Sequence, residues 1–171
     1  MLRFDTALGT CGITWSDAGV TGVLLPGTRG LRARGASAPE DDAAPEPVRD
    51  AIAAIAALLD GEQTDLRWVV LDESGIDPFR RSVYAAAREI PAGSTASYGD
   101  VARAIGKPDA PRAVGHALGE NPYPIVVPCH RVLSSAGALH GFSAPGGIAT
   151  KRRMLEIERA LGFTQLSLLS C

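Results

Sequence analysis

Polar and apolar positions alternate along the first 26 residues in three short runs, 3–8, 11–16 and 20–25. Gly9-Thr10 and Asp17-Ala18-Gly19 separate them with turn chemistry. Period-two alternation between such turns predicts a three-stranded meander. Residues 27–47 are poor in large apolar side chains and gather Pro39, Glu40, Asp41, Asp42, Pro45 and Glu46, which predicts a mobile acidic loop. From Pro47 the period changes. Val48, Ile52, Ile55 and Leu59 recur at helical spacing, with Pro47 suited to the first turn and Gly61 to the stop. Trp68-Val69-Val70-Leu71 reads as a further strand. Residues 1–76 are thus expected to form a small α+β scaffold domain.

Asp77-Pro78 opens a second domain, 77–171, with a different rhythm. Phe79, Val83, Ala86 and Ala87 share one face of a helix over 79–90, closed by Pro91-Ala92-Gly93. Ser97 is placed to cap a helix over 98–105, and Pro111 fits the first turn of another that runs to about Gly119. Two short helices about Gly106-Lys107-Pro108-Asp109 make a helix-turn-helix pattern. Arg112 stands at the start of its second helix, where such motifs present side chains to DNA. Taken alone, Arg112 reads equally well as a solvated arginine or a partner for Asp109. Ile125-Val126-Val127 reads as a buried strand stopped by Pro128, so that Cys129 emerges at its end beside His130 and Arg131. A lone cysteine is more often a small buried hydrophobe. Cationic neighbours, however, lower a thiol's pKa and favour the nucleophilic thiolate.

Composition narrows the class. The 171 residues are 46% hydrophobic and 21% charged, ordinary for a soluble globular chain of one or two domains. No apolar run reaches membrane-spanning length, and the start lacks a signal-peptide core, so a cytoplasmic protein is expected. Three cysteines (Cys11, Cys129, Cys171) without a CxxC pair, and three histidines without spacing to match, argue against a disulfide framework or a metal site. The net charge of −2 conceals an asymmetry: residues 1–79 hold six Arg against thirteen Asp or Glu, residues 80–171 eleven Lys or Arg against six. The second half is basic enough to meet phosphates.

The helix pair led by Arg112, then Asn121-Pro122, then Pro128-Cys129-His130-Arg131-Val132 make one ordered block. It resembles the O6-alkylguanine-DNA alkyltransferases, or methylated-DNA–protein-cysteine methyltransferases, closely over about residues 79–162 and in layout only before that. The resemblance implies a ribonuclease-H-like N-terminal domain and a mostly helical C-terminal domain with a winged-helix-like helix-turn-helix. It implies direct-reversal DNA repair: irreversible, single-use transfer of an alkyl group from O6-alkylguanine to Cys129 after base flipping, without a cofactor, with O4-alkylthymine left open as a substrate. The implied partner is double-stranded DNA entered from the minor groove, met by a monomer in the cytoplasm at the nucleoid.

Position by position, Cys129 resembles the acceptor, His130 the residue that deprotonates it through a water, and Glu158 the acid that orients the histidine. Tyr98 is similar to the tyrosine that helps turn the nucleotide and donates to the guanine. Arg112 resembles the finger that fills the vacated stack, and Asn121 the hinge after the recognition helix. Pro124, Phe142 and Ser143 fall on the pocket wall and lid, with the Ser143 hydroxyl expected to face the alkylated oxygen. One departure stands out. Ala144-Pro145 intervene between Gly141-Phe142-Ser143 and Gly146-Gly147, and Phe142 replaces a frequent tyrosine, which bears on the range of alkyl groups accepted.

The chemistry fits those roles. An alkyl group on O6 of a stacked guanine is out of reach until the base leaves the duplex, and an inserted side chain can hold the gap. A thiol, a base and a group orienting that base are the general pattern of an activated nucleophile. Singly, Tyr98 reads as a core tyrosine, Asn121 as a helix-ending turn residue and Glu158 as a solvated partner of Lys151 or Arg153. Two rival functions remain: a non-catalytic binder of alkylated bases, which has no use for Cys129, and a Cys-His hydrolase, which has no use for Arg112.

Overall fold

A computed structural model describes residues 1–32, 44–139 and 141–160. Most of the expected acidic loop, together with His140 and Cys171, lies outside the described residues. The meander forms as expected: β1 (Leu2–Thr6), β2 (Gly9–Ser16) and β3 (Gly19–Leu24) make an antiparallel sheet in the order β1-β2-β3. The pairs Leu2↔Ile13 and Phe4↔Cys11 set the register of the first hairpin, and a shift between Thr14 and Trp15 breaks that of the second. Gly19 has a φ of +141°, and a Cβ there would lie 2.7 Å from the Val70 carbonyl oxygen. Only glycine allows the two backbones to close this far.

One short helical turn, α1 (Arg29–Arg32), follows the sheet where a loop was expected. Then α2 (Glu46–Leu59) starts one residue before Pro47 and buries Val48, Ala51, Ile55, Leu58 and Leu59, packing on β1. The expected strand over 68–71 does not form. Leu71 makes one parallel bridge to Val20, while Trp68 and Val70 are 49% and 65% exposed. One side chain from the next element works against it. Arg88 donates to the carbonyls of Leu66, Arg67 and Val69 at 3.0, 2.8 and 2.8 Å, which gathers the segment into turns against its strand propensity.

The remaining helices are α3 (Pro78–Arg88), α4 (Tyr98–Ala104), α5 (Pro111–Gly119) and α6 (Gly147–Ile157). Asp77 caps α3 by accepting from the Arg80 amide at 3.0 Å. Ser97 and Asp100 form a reciprocal capping box on α4, which satisfies amides that a bare helix start leaves open. Just before α4, β4 (Ala96–Ser97) pairs in parallel with β5 (Val132–Leu133). Helices α3, α4 and α5 bundle against one another, and the Tyr84 hydroxyl donates to the Ala117 carbonyl between them. A single apolar cluster runs from Leu2 in β1 to Met154 in α6, so sheet and helices share one core in an α+β arrangement. Among the described residues, no helix is long and apolar enough to cross a membrane.

Candidate active site

Cys129 does not sit at the end of a strand. Ile125, Val126 and Val127 are buried as expected, but they form a turn. Ile125 takes a φ of +77°, a conformation that β-branched residues adopt only when their surroundings force it. Here its side chain is 1% exposed, and the apolar run is used for anchorage rather than for a ladder. Asn121 ties the turn: its Nδ2 donates to the Val127 carbonyl at 2.9 Å, and its Oδ1 accepts from the Tyr123 amide at 2.9 Å. Pro128, at φ −81° and ψ 65°, makes an inverse γ-turn closed by the Cys129 amide on the Val127 carbonyl at 2.8 Å. A 3₁₀ turn, Cys129–Arg131, follows directly.

Behind that turn lies a buried charge network. His130 Nε2 is 2.8 Å from Glu158 Oε1. Arg131 grips the same carboxylate with Nε at 2.8 Å and Nη2 at 2.9 Å, and donates from Nη1 to the Ile90 carbonyl at 2.7 Å. Burial alone would raise the Glu158 carboxyl, but the hydrogen bonds from His130 and Arg131, with the Arg131 charge, outweigh it and hold the group far below the usual carboxylate range. Burial pushes the His130 imidazole down, against the pull of Glu158. The histidine is therefore neutral, and Arg131 is the cation that balances the carboxylate. An ionised carboxylate only accepts, so the proton of His130 sits on Nε2 and Nδ1 is left as an acceptor. That Nδ1 is buried with no hydrogen-bond partner among the described residues.

These contacts revise two expectations. Arg131 is turned into the Glu158 pair and does not serve the thiol, and His130 supplies it no positive charge. Glu158 is 2% exposed and pairs with neither Lys151 nor Arg153. For Cys129, burial pushes the thiol up, opposed in turn by a hydrogen bond from the Asn121 side chain, by the charge of Lys151 and by the Cys129 and His130 amides. The nearby cation thus comes from α6, where sequence reading had not sought it. A signal was present: Lys151, Met154, Leu155 and Glu158 follow i, i+3, i+4, i+7 spacing, which puts two charges on the buried stripe of one helix.

In front of Cys129 opens a cleft of about 1230 Å³ whose lining includes Tyr98, Arg112, Cys129, Phe142, Ser143 and Lys151. The Tyr98 ring stands at the start of α4, against Gly115 of α5, where a Cβ would meet it at 3.6 Å. The Tyr98 hydroxyl makes no hydrogen bond among the described residues. Arg112 is exposed in the first turn of α5, and among those residues it has no ion-pair partner, Asp109 included. A smaller chamber of about 170 Å³ adjoins Cys129 and is lined by Asn121, Pro124, Phe142 and Ala144 together with Val23 and Leu25 near the end of the sheet. The Ser143 hydroxyl differs from expectation: it donates its one proton to the Gly119 carbonyl at 2.7 Å, which fastens the Gly141-Phe142-Ser143 segment to the end of α5. The Ala144-Pro145 insertion has a structural use. The Ala144 carbonyl accepts from the Gly147 amide at 2.9 Å and that of Pro145 from the Thr150 hydroxyl at 2.7 Å, so the pair leads into α6. Among the described residues no cluster of three His, Cys, Asp or Glu side chains is placed to hold a metal.

Residues 78–160 match the family model of the 6-O-methylguanine DNA methyltransferase DNA-binding domain. The methylated-DNA–protein-cysteine methyltransferase of Methanothermobacter thermautotrophicus is 36% identical over 147 residues, spanning 86% of this chain and 78% of that protein. Its counterpart from Mycobacterium tuberculosis is 47% identical over 108 residues, which cover 63% of each chain. The crystal structure of the Mycobacterium tuberculosis O6-methylguanine methyltransferase superposes with a TM-score of 0.70 at 32% identity, covering 98% of this chain and 96% of that one. Mycobacterium tuberculosis OGT in complex with DNA gives a TM-score of 0.70 at 34% identity, over 96% and 97% of the two chains. With a buried cysteine, histidine and glutamate behind a cleft rimmed by a tyrosine and an arginine, and with relatives matched over most of its length, the chain belongs to the methylated-DNA–protein-cysteine methyltransferase family.

Proposed function

We propose that Cys129 is the residue on which this chain carries out its family's reaction. The chain repairs DNA by moving an alkyl group from the O6 position of guanine to one of its own cysteines. The observation that carries the assignment is the His130 tautomer. Glu158 fixes the ring proton on Nε2, and Nδ1 is left buried and, among the described residues, unpartnered, on the residue next to the one whose thiol must lose a proton. A water between Nδ1 and Sγ completes the relay. Burial holds the resting thiol protonated, so removal of its proton by a base is a required step.

Tyr98 offers the guanine a free hydroxyl, which stabilises the charge left on the base as the C–O bond breaks. Ser143, spent on Gly119, is not given that task; it holds the lid. Arg112 is free to enter the duplex from the first turn of α5, with α4 and α5 acting as a helix-turn-helix in a winged-helix-like domain over 77–171 that approaches the minor groove. Asn121 acts as hinge, and also steadies the thiolate. Residues 1–76 serve as a ribonuclease-H-like scaffold domain. The protein works as a monomer on the nucleoid, and Pro124 and Phe142 bound the space for the alkyl chain.

Incubation with duplex DNA containing O6-methylguanine, followed by peptide mass analysis, tests the assignment. One methyl group is expected on the peptide that holds Cys129, with no second turnover, and Cys129→Ala abolishes transfer while DNA binding persists. Complete repair with Cys129 unmodified overturns the reading.

A further inference from the structure

Methyl transfer needs nothing beyond the cleft, yet a second space opens beside the acceptor. The chamber of about 170 Å³ shares Leu118, Cys129, Phe142 and Ser143 with the cleft, so the two meet at the thiol. The residues it does not share come from distant parts of the chain. Val23 and Leu25, 5% and 1% exposed near the end of the sheet, line it together with Thr28. Ala144 and Pro145, the two residues inserted before Gly146, line it as well. Both walls are tied down before a substrate arrives. The Val23 amide donates to the Pro122 carbonyl at 2.9 Å, and the Thr28 amide and hydroxyl donate to the Leu25 carbonyl at 3.1 and 2.7 Å. The Ser143 hydroxyl on Gly119 and the Thr150 hydroxyl on the Pro145 carbonyl hold the two ends of the insertion. The polar side chains of the lining have committed their donors. Thr28 and Ser143 donate to carbonyls, and the Asn121 amide serves the Val127 carbonyl and the Cys129 sulfur. What remains for a guest is the apolar surface of Val23, Leu25, Phe142, Ala144 and Pro145.

Displacement at carbon places the sulfur, the reacting carbon and O6 on one line, and the rest of an alkyl group projects sideways from it. A methyl group has no such projection, whereas a longer chain must leave that line. We propose that the chamber is a selecting subsite for alkyl groups longer than methyl. Val23, Leu25, Thr28 and the inserted Ala144-Pro145 are the residues that admit linear apolar chains and reject polar ones. The inference rests on Cys129 being the acceptor. In each transfer the S–C bond forms as the C–O6 bond breaks, the bonding pair leaves with the guanine, and the guanine gains one proton for the one the thiol loses. The chamber changes no bond; it seats the chain so that the carbon bearing it stays in line. An alkyl chain and its ether isostere fill the same space, but the ether oxygen needs a donor that these side chains no longer have.

Duplexes carrying O6-methyl-, O6-butyl- or O6-(2-methoxyethyl)guanine are reacted with the full chain and its Ala144→Leu variant. Single-turnover rates are measured, and the alkylated peptide is identified by mass spectrometry. Each longer group is read as its rate relative to methyl in the same protein, which cancels any general loss. Wild type is expected to transfer butyl about ten-fold faster than 2-methoxyethyl. Ala144→Leu, which fills the chamber, is expected to lower the butyl-to-methyl ratio about ten-fold and to remove that preference. Should Ala144→Leu fail to fold, Thr28→Leu narrows the chamber from the sheet side and carries the same expectation. No butyl transfer by wild type, equal butyl and 2-methoxyethyl rates, or a butyl-to-methyl ratio that the variant leaves unchanged overturns the chamber's role. Each of these outcomes, with methyl on Cys129, leaves the acceptor assignment standing. Methyl found on another residue overturns that assignment itself.

Discussion

Glu158 does two things at once, and they separate on acidification. It orients His130 and it neutralises Arg131, and both contacts are buried. Its carboxyl is held at about 2, below its ordinary value of 4.5, so its contribution to stability is complete above about pH 4.5 and is lost as pH falls toward 2. His130, held below its ordinary value of 6.5, adds a loss of the same sign that begins as pH falls below that value, because the unfolded imidazole binds a proton more readily. Urea unfolding across this range should therefore show stability falling with acid. Glu158→Gln leaves the Arg131 guanidinium buried and unpaired, at a cost of about 3–5 kcal/mol near neutrality, and flattens the part of the pH dependence below about pH 4.5. Equal slopes in variant and wild type would place the acid sensitivity elsewhere. Cys129 and His130 could be singled out in the sequence because their block is contiguous, and Glu158 only through the resemblance to the family. The partners of Arg131 and Lys151 could not, since they depend on which way a side chain leaves a 3₁₀ turn and on which face of α6 is buried.

At the scale of elements, local chemistry decided the helices and distant contacts decided the irregular segments. Ser97 starts α4 and Pro111 starts α5, each by a bond or a fixed φ within a few residues, and both were legible; that Asp77 caps α3 was not read from the sequence, which placed only a domain opening there. The runs 68–71 and 125–127 were read as strands because a short apolar run has no period to distinguish a ladder from a buried turn. Arg88 claims the carbonyls beside the first, and Asn121 with Pro128 folds the second. The cap on α4 matters beyond its helix, since Tyr98 is the next residue. Ser97→Ala is expected to cost about 1 kcal/mol in chemical denaturation. Methyl transfer should slow as well, because the Tyr98 ring loses its fixed entry. A stability loss with full transfer rate would show that Tyr98 is held by Gly115 and the cleft wall alone.

At the scale of the whole molecule, the acidic half supports the basic one through the loop before Cys129. The Val23 amide donates to the Pro122 carbonyl at 2.9 Å, and the Tyr123 hydroxyl to the Asp72 carbonyl at 2.5 Å. The sheet thereby braces the turn that presents the thiol. On the proposed reading DNA meets the cleft, on whose lining Arg112 stands exposed in the first turn of α5. Affinity for duplex should fall steeply with salt, and Arg112→Ala should slow repair of duplex far more than reaction with the free base O6-methylguanine. Salt-independent binding, or equal slowing on both substrates, would remove that role from the basic half and from Arg112. The sequence by itself determined the meander, the capped helices and the Cys129-His130-Arg131 block, because each is written in residues a few positions apart whose backbone preferences and side-chain chemistry act locally. Only the tertiary structure decided the charge state of the site. Burial sets the pKa of a thiol, an imidazole and an ammonium, and burial is a property of the whole folded molecule, which faces Lys151 toward Cys129 and Arg131 away from it.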